Sequence, residues 1–147
     1  MTPDTPDPRA KAGATVDAAG ELTFRHVATL SEYEACVALQ RETWGRGFTE
    51  VVPATILRVS QYVGGITAGA FDAEDRLVGF VFGITGVRDG RLVHWSDLLA
   101  VRPEVRDCGV GYRLKLFQRE ALLAGGISTM FWTYDPLVAK NAYFNLV

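Results

Sequence analysis

Arg106-Asp107-Cys108-Gly109-Val110-Gly111 is the stretch on which the reading of this chain turns. It lies between an apolar, strand-like run, Leu92 to Val101, and a run of helical periodicity that extends from about Gly109 to Ala124. Two glycines one residue apart permit backbone angles closed to other residues and let a ligand approach the main chain. The amides of such a loop and of the helix start point at one spot, which suits an anion such as a pyrophosphate. Two familiar phosphate loops are excluded. The chain has no Gly-x-x-x-x-Gly-Lys-Ser/Thr run, and the segment lacks the third glycine and the early βαβ position of a dinucleotide fingerprint.

Upstream of that loop, Leu22 to Val27 alternates apolar and polar residues, as a half-buried strand does. Ser31 followed by Glu34 predicts a capping box for a helix carrying Tyr33, Cys36, Val37, Leu39, Gln40 and Trp44, which should stop near Gly45 and Gly47. Pro53 suits the first turn of a second helix reaching about Val63, with Ile56, Leu57, Val59 and Val63 as its apolar stripe. Three strands follow, Thr67 to Asp72, Leu77 to Thr85 and Leu92 to Val101. They are joined by turns at Asp72-Ala73-Glu74-Asp75 and Arg88-Asp89-Gly90, the pattern of an antiparallel meander. In the third helix Leu114, Phe117, Ala121 and Leu122 form the inner stripe, and Gly125 and Gly126 end it. Thr129 to Thr133 reads as a short strand and Ala139 to Leu146 as the start of a fourth helix. Residues 1–20, with three prolines in the first eight and little to bury, read as a disordered tail ahead of one domain over 21–147. The order predicts an α/β (α+β) domain with a mixed, mostly antiparallel sheet flanked by helices.

The Arg-x-x-Gly-x-Gly loop after a long strand resembles the Gln/Arg-x-x-Gly-x-Gly/Ala motif of the GNAT superfamily of acyl-coenzyme A-dependent acyltransferases. Leu98-Leu99-Ala100-Val101-Arg102-Pro103-Glu104 looks like the end of that family's fourth strand and its following turn. Gln118-Arg119-Glu120, Trp132-Thr133-Tyr134-Asp135-Pro136-Leu137 and Asn141-Ala142-Tyr143-Phe144-Asn145 are similar to a subgroup of acetyltransferases of unsettled substrate. The resemblance covers roughly residues 22–147.

It implies transfer of an acetyl or other acyl group from acetyl-coenzyme A to an amine of a small molecule or peptide. The co-substrate would lie in a cleft between the strands over 92–101 and 129–133. Leu99, Ala100 and Val101 would hold the pantetheine and thioester. The loop from Arg106 and Asp107 through Cys108, Gly109, Val110, Gly111 and Tyr112 would hold the pyrophosphate, and Asn141 is counted among the coenzyme A contacts. Asp107 is unusual beside a pyrophosphate and is expected to face solvent. Asp97 is the candidate base, with Trp95 on its face of the strand and His94 on the other. Phe144-Asn145-Leu146 offers no phenol where the family usually places its proton donor. The family continues into two more strands, so the chain ending at Val147 reads as truncated. An open sheet edge would favour association, a homodimer included. The competing readings are a non-catalytic acyl-coenzyme A-binding module and a fragment of a longer acetyltransferase.

Bulk properties narrow the classes further. The 147 residues are 48% hydrophobic and 22% charged, with 15 basic against 17 acidic side chains and a net charge of −2. There is no basic surplus for nucleic acid or a membrane surface. The apolar stretches are strand-length, and the first twenty residues lack a signal peptide's apolar core, so a cytoplasmic protein is expected. Cys36 and Cys108 form no metal or disulfide pattern, and no metal site is expected. Cys108 reads as a loop residue, His26 as a sheet residue, and Trp44, Trp95 and Trp132 as core more than site, with an acceptor-pocket lining as the alternative for Trp95 on the face of Asp97.

Overall fold

The computed structural model describes residues 13–17 and 20–133. The strands are β1 (Gly13–Asp17), β2 (Gly20–His26), β3 (Ile66–Phe71), β4 (Leu77–Arg88), β5 (Arg91–Val101) and β6 (Met130–Trp132). The helices are α1 (Leu30–Trp44), α2 (Ala54–Tyr62) and α3 (Val110–Ala124). The strands form one sheet in the order β1-β2-β3-β4-β5-β6. Every pairing is antiparallel except β5–β6, which is parallel because α3 carries the chain back across the sheet. This is the expected mixed, mostly antiparallel sheet with helices on both faces. The proposed fourth helix over 139–146, Asn141 and Tyr143 to Leu146 lie outside the described residues.

One core forms under α3, where Phe24, Ile66, Val81, Val110, Leu114 and Leu122 meet. The other forms under α1 and α2, from Tyr33, Leu39, Leu57, Phe71, Phe80 and Phe82. β3 is buried along its whole length and β4 from Leu77 to Gly83, which is why these runs show no polar alternation. The turn between β4 and β5 uses Asp89 at φ 51° and Gly90 at φ 74°. Successive positive φ angles make the tight hairpin that Asp-Gly favours.

Three local expectations change. β1 falls inside the stretch 1–20 read as a tail without structure. The open edge of β2 offers unpaired backbone groups, which the main chain of β1 takes in an antiparallel pairing that hydropathy alone does not signal. The α1 cap is Thr29 with Glu32, two residues before Ser31 and Glu34. Both pairs fit the capping pattern, but Glu32 also meets Arg25 of β2 at 2.7 Å, which anchors the earlier box to the sheet. On α2, Ile56, Val59 and Val63 are exposed and only Leu57 and Ser60 are buried. The helix sits so close to the sheet that the Ser60 hydroxyl donates to the Gly83 carbonyl at 2.9 Å, and the apolar stripe is left outside.

Candidate active site

The glycine loop closes the connection from β5 to α3. Arg106 is exposed and its Nε donates to the carbonyl of Val101 at 2.9 Å, folding the loop back on the strand end. Asp107 and Gly109 adopt left-handed backbone angles, φ 65° and 74°. Asp107 is exposed, Cys108 half-buried against the α3 core, and Val110 buried. Whereas α1 has a full capping box, Gly109 at the N-cap of α3 has no side chain to cap with. Its first intrahelical bond runs from the Arg113 amide to the Gly109 carbonyl at 3.0 Å. The amides of Val110, Gly111 and Tyr112 therefore point out of the helix start, at the positive end of the helix dipole.

The second half of the site is the edge of β5. The ladder with β6 runs His94↔Met130, Trp95↔Phe131, Ser96↔Trp132 and stops. From Asp97 to Val101 that edge of β5 has no strand partner among the described residues. Its free backbone groups lead from the fork at Ser96 to the glycine loop, past Leu99, Ala100 and Val101. These residues and the loop are brought together as one continuous, main-chain-lined track.

A bulge sits at the fork. Gly83 pairs with Ser96 and Phe82 with Leu98, leaving Asp97 unopposed. Before it, His94 and Ser96 face α3; after it, Leu99 and Val101 do, while Leu98 and Ala100 face α1 and α2. The extra residue reverses the alternation and turns Asp97 outward. Its carboxylate accepts from the Trp95 indole at 3.3 Å, so the two share one face, and His94 lies on the other. Trp44, Trp95 and Trp132 are not core: they are 39%, 42% and 38% exposed, Trp44 and Trp132 at the ends of α1 and β6 and Trp95 on the outer face of β5. An indole has both an apolar body and a polar N–H, and partly exposed positions satisfy both.

Behind the fork lies a polar cluster that the sequence reading did not assemble. The Lys115 ammonium of α3 donates to the Ser96 hydroxyl. Ser96 donates to Gln118 Oε1 at 3.0 Å, and Gln118 Nε2 contacts His94 Nε2 at 3.0 Å. His94 Nδ1 meets the Thr85 hydroxyl at 3.0 Å, and Thr85 donates to the Gly64 carbonyl at 2.8 Å. Only one direction satisfies every member: the Thr85 proton is committed to Gly64, so His94 carries its proton on Nδ1 and accepts at Nε2. Burial, and then the Lys115 charge, lower the His94 pKa to about 4, and burial lowers that of Lys115 to about 8. The signal in the sequence was there: His94 and Ser96 alternate on one strand face, and Lys115 and Gln118 interrupt an otherwise apolar helix stripe.

A cleft of about 560 Å³ opens elsewhere on the α3 face, lined by His26, Gln61, Thr85, Phe117 and Glu120 among others. None of residues 97–112 lines it, so it is separate from the track. His26 closes β2, its ring edge-on to Phe117 at 5.1 Å. Cys36 is buried, with its thiol pushed up to about 12 by burial. No group of metal-ligating side chains occurs among the described residues, and no helix there is long and apolar enough to cross a membrane.

No protein-family model matches the sequence, and no curated protein matches it. Solved structures do match in shape. An aminoglycoside acetyltransferase from an uncultured soil metagenomic sample, in complex with sisomicin, superposes with a TM-score of 0.72 at 15% identity, covering 84% of each chain. The aminoglycoside N-acetyltransferase AAC(6')-Iy, in complex with the bisubstrate analogue CoA-S-monomethyl-acetylneamine, gives 0.69 at 16%, covering 85% of this chain and 87% of the other. An acetyltransferase of Trypanosoma brucei gives 0.64 at 20%, covering 84% and 91%. This chain has the fold of these acetyltransferases, the one implied by its resemblance to the GNAT superfamily.

Proposed function

We propose that the protein transfers an acetyl or other acyl group from acyl-coenzyme A to an amine of a small molecule or peptide. The observation that carries this is the track itself: a helix start with glycine at its N-cap, a loop with left-handed Asp107 and Gly109, and a β5 edge, without a strand partner among the described residues, that leads to a bulge. An elongated ligand with an anionic end and an amide-bearing arm fits that order. The amides from Cys108 to Tyr112 bind the pyrophosphate, and the β5 edge at Leu99 to Val101 pairs with the pantetheine amides. The free backbone N–H groups near the bulge are placed to stabilise an oxyanion. Asp97, exposed on the face away from α3, takes the proton from the attacking amine. The amine-binding acetyltransferases of the same fold support the acceptor class.

Calorimetric titration with coenzyme A tests the reading. A Cβ at Gly109 meets no atom within 4 Å, but at φ 74° any side chain strains the backbone, so added bulk there disturbs the loop as well as obstructing a ligand, and the variant is first matched to the wild type in its thermal melt. Gly109→Val should weaken coenzyme A more than tenfold, about 1.4 kcal/mol. Asp97→Asn should bind as the wild type does. Equal affinity of wild type and Gly109→Val, or no binding by the wild type, would exclude this site.

A further inference from the structure

Lys115 is the one ammonium that reaches the fork among the described residues. Its Nζ bonds to Ser96, the last β5 residue paired with β6, and lies 5.7 Å from the ring centre of Trp132, the partner of Ser96 in that last rung. It therefore occupies the apex from which the free edge of β5 begins. Asp97 is the next residue of β5 and projects on the opposite face. Two groups of opposite charge thus flank the end of the track, one on each side of the sheet. From β5, Lys115 is faced by His94, which the network holds neutral, and from β6 by the indole of Trp132. No carboxylate pairs with it among the described residues. Among the described residues this half-buried cation stands without an anion, an arrangement that is expensive to keep for stability alone. One that is filled by an anion only during a reaction is a device for charge stabilisation.

We propose that Lys115 faces the departing sulfur of the acyl donor and gives it a proton. The inference rests on the acyl-coenzyme A reading and adds a residue to it. The acceptor nitrogen forms its bond to the acyl carbon, and the carbon–sulfur bond breaks with its electron pair on sulfur. The Lys115 ammonium gives that thiolate a proton, and the surplus proton of the new amide nitrogen leaves to Asp97. Solvent then returns the proton to Lys115 and removes the one on Asp97. The directed chain through Ser96, Gln118 and His94 holds Nζ at the fork and acts by positioning it.

The proposal can be tested without an acceptor, by titrating the thiol of bound coenzyme A from its thiolate absorbance. In the wild-type complex the thiol should ionise at least about one pH unit lower than in Lys115→Met, the scale expected for an opposite charge at close range. Lys115→Arg, which keeps the charge, should recover most of that difference. Coenzyme A that binds both wild type and Lys115→Met with the same thiol pKa would overturn the assignment. Wild type alone gives a second check, which stands even if Lys115→Met fails to fold. Its bound thiol must ionise below the thiol of free coenzyme A, and an unshifted or raised value overturns the proposal. Desulfo-coenzyme A separates the two readings. If it binds the wild type but the thiol shift is missing, only the role of Lys115 falls; if neither compound binds, the acyl-coenzyme A reading falls first.

Discussion

His94 shows how one side chain can be fixed by everything around it. It is fully buried, bonded at both nitrogens, and packed so tightly against Gly83 that a Cβ there would overlap its ring and sit 2.6 Å from the Trp95 carbonyl. Protonation would place an N–H against the Gln118 amide donor, and no carboxylate among the described residues bonds to His94. Its pKa in the fold, about 4, is below the ordinary 6.5. The unfolded chain therefore binds the proton first as pH falls. The stability contribution is whole above about pH 6.5 and is lost progressively down to about pH 4. Chemical denaturation at pH 7 and 4.5 should show a stability loss in the wild type that is clearly smaller in His94→Gln. Equal losses in the two proteins would mean that His94 does not titrate in this window.

At the scale of elements, local pattern and tertiary contact compete, and α1 shows which wins. Thr29 accepts from the Glu32 amide at 3.3 Å, and Glu32 accepts from the amides of Ala28 and Thr29 at 2.8 and 3.3 Å. Ser31 only exchanges a hydroxyl contact with Thr29. Thr29→Ala should cost about 1 kcal/mol, the usual scale for a lost N-cap, and Ser31→Ala less than half of that. Urea denaturation of the two variants decides between the boxes, and the reverse order would restore the Ser31 cap. The other end of the helix hairpin depends on Gln40, which is buried. Its amide accepts from the Val52 N–H at 2.7 Å and donates to the Val52 carbonyl at 3.0 Å, so a side chain stands in for a strand partner. The helical period placed Gln40 on the inner face without naming Val52 as its partner.

Across the whole molecule, the proposed ligand track runs along the seam between elements. The loop belongs to α3, the free edge to β5, and the two are tied by Arg106 to Val101. A ligand bridging them adds its binding energy to global stability, since the unfolded chain offers neither surface. At one hundred times its dissociation constant, coenzyme A should stabilise the protein by about 2.7 kcal/mol. For a chain of this size that is a rise in Tm of roughly 5–10 °C. A thermal melt that does not move at saturating coenzyme A would contradict binding along this seam. Gly109→Val should need far more ligand for the same rise.

The chain's local rules sufficed for the order of elements from β2 to β6, the Asp89-Gly90 hairpin turn, the stop of α3 at Gly125 and the glycine loop after β5. Each of these depends on residues a few positions apart: a period of two or 3.6, or a φ that glycine adopts without strain. What the sequence could not decide is carried by pairs far apart in the chain. Arg25 and Glu32 select one capping box from two, and the bulge that exposes Asp97 exists only in its register with β4. Lys115 looks like any helix lysine until Ser96, nineteen positions earlier, is placed under it, and His94 looks like a strand residue until Gln118 closes on it. Periodicity reports which face of an element is apolar. It carries no information about which polar side chains on two such faces will meet, because that depends on the packing of α3 across the sheet.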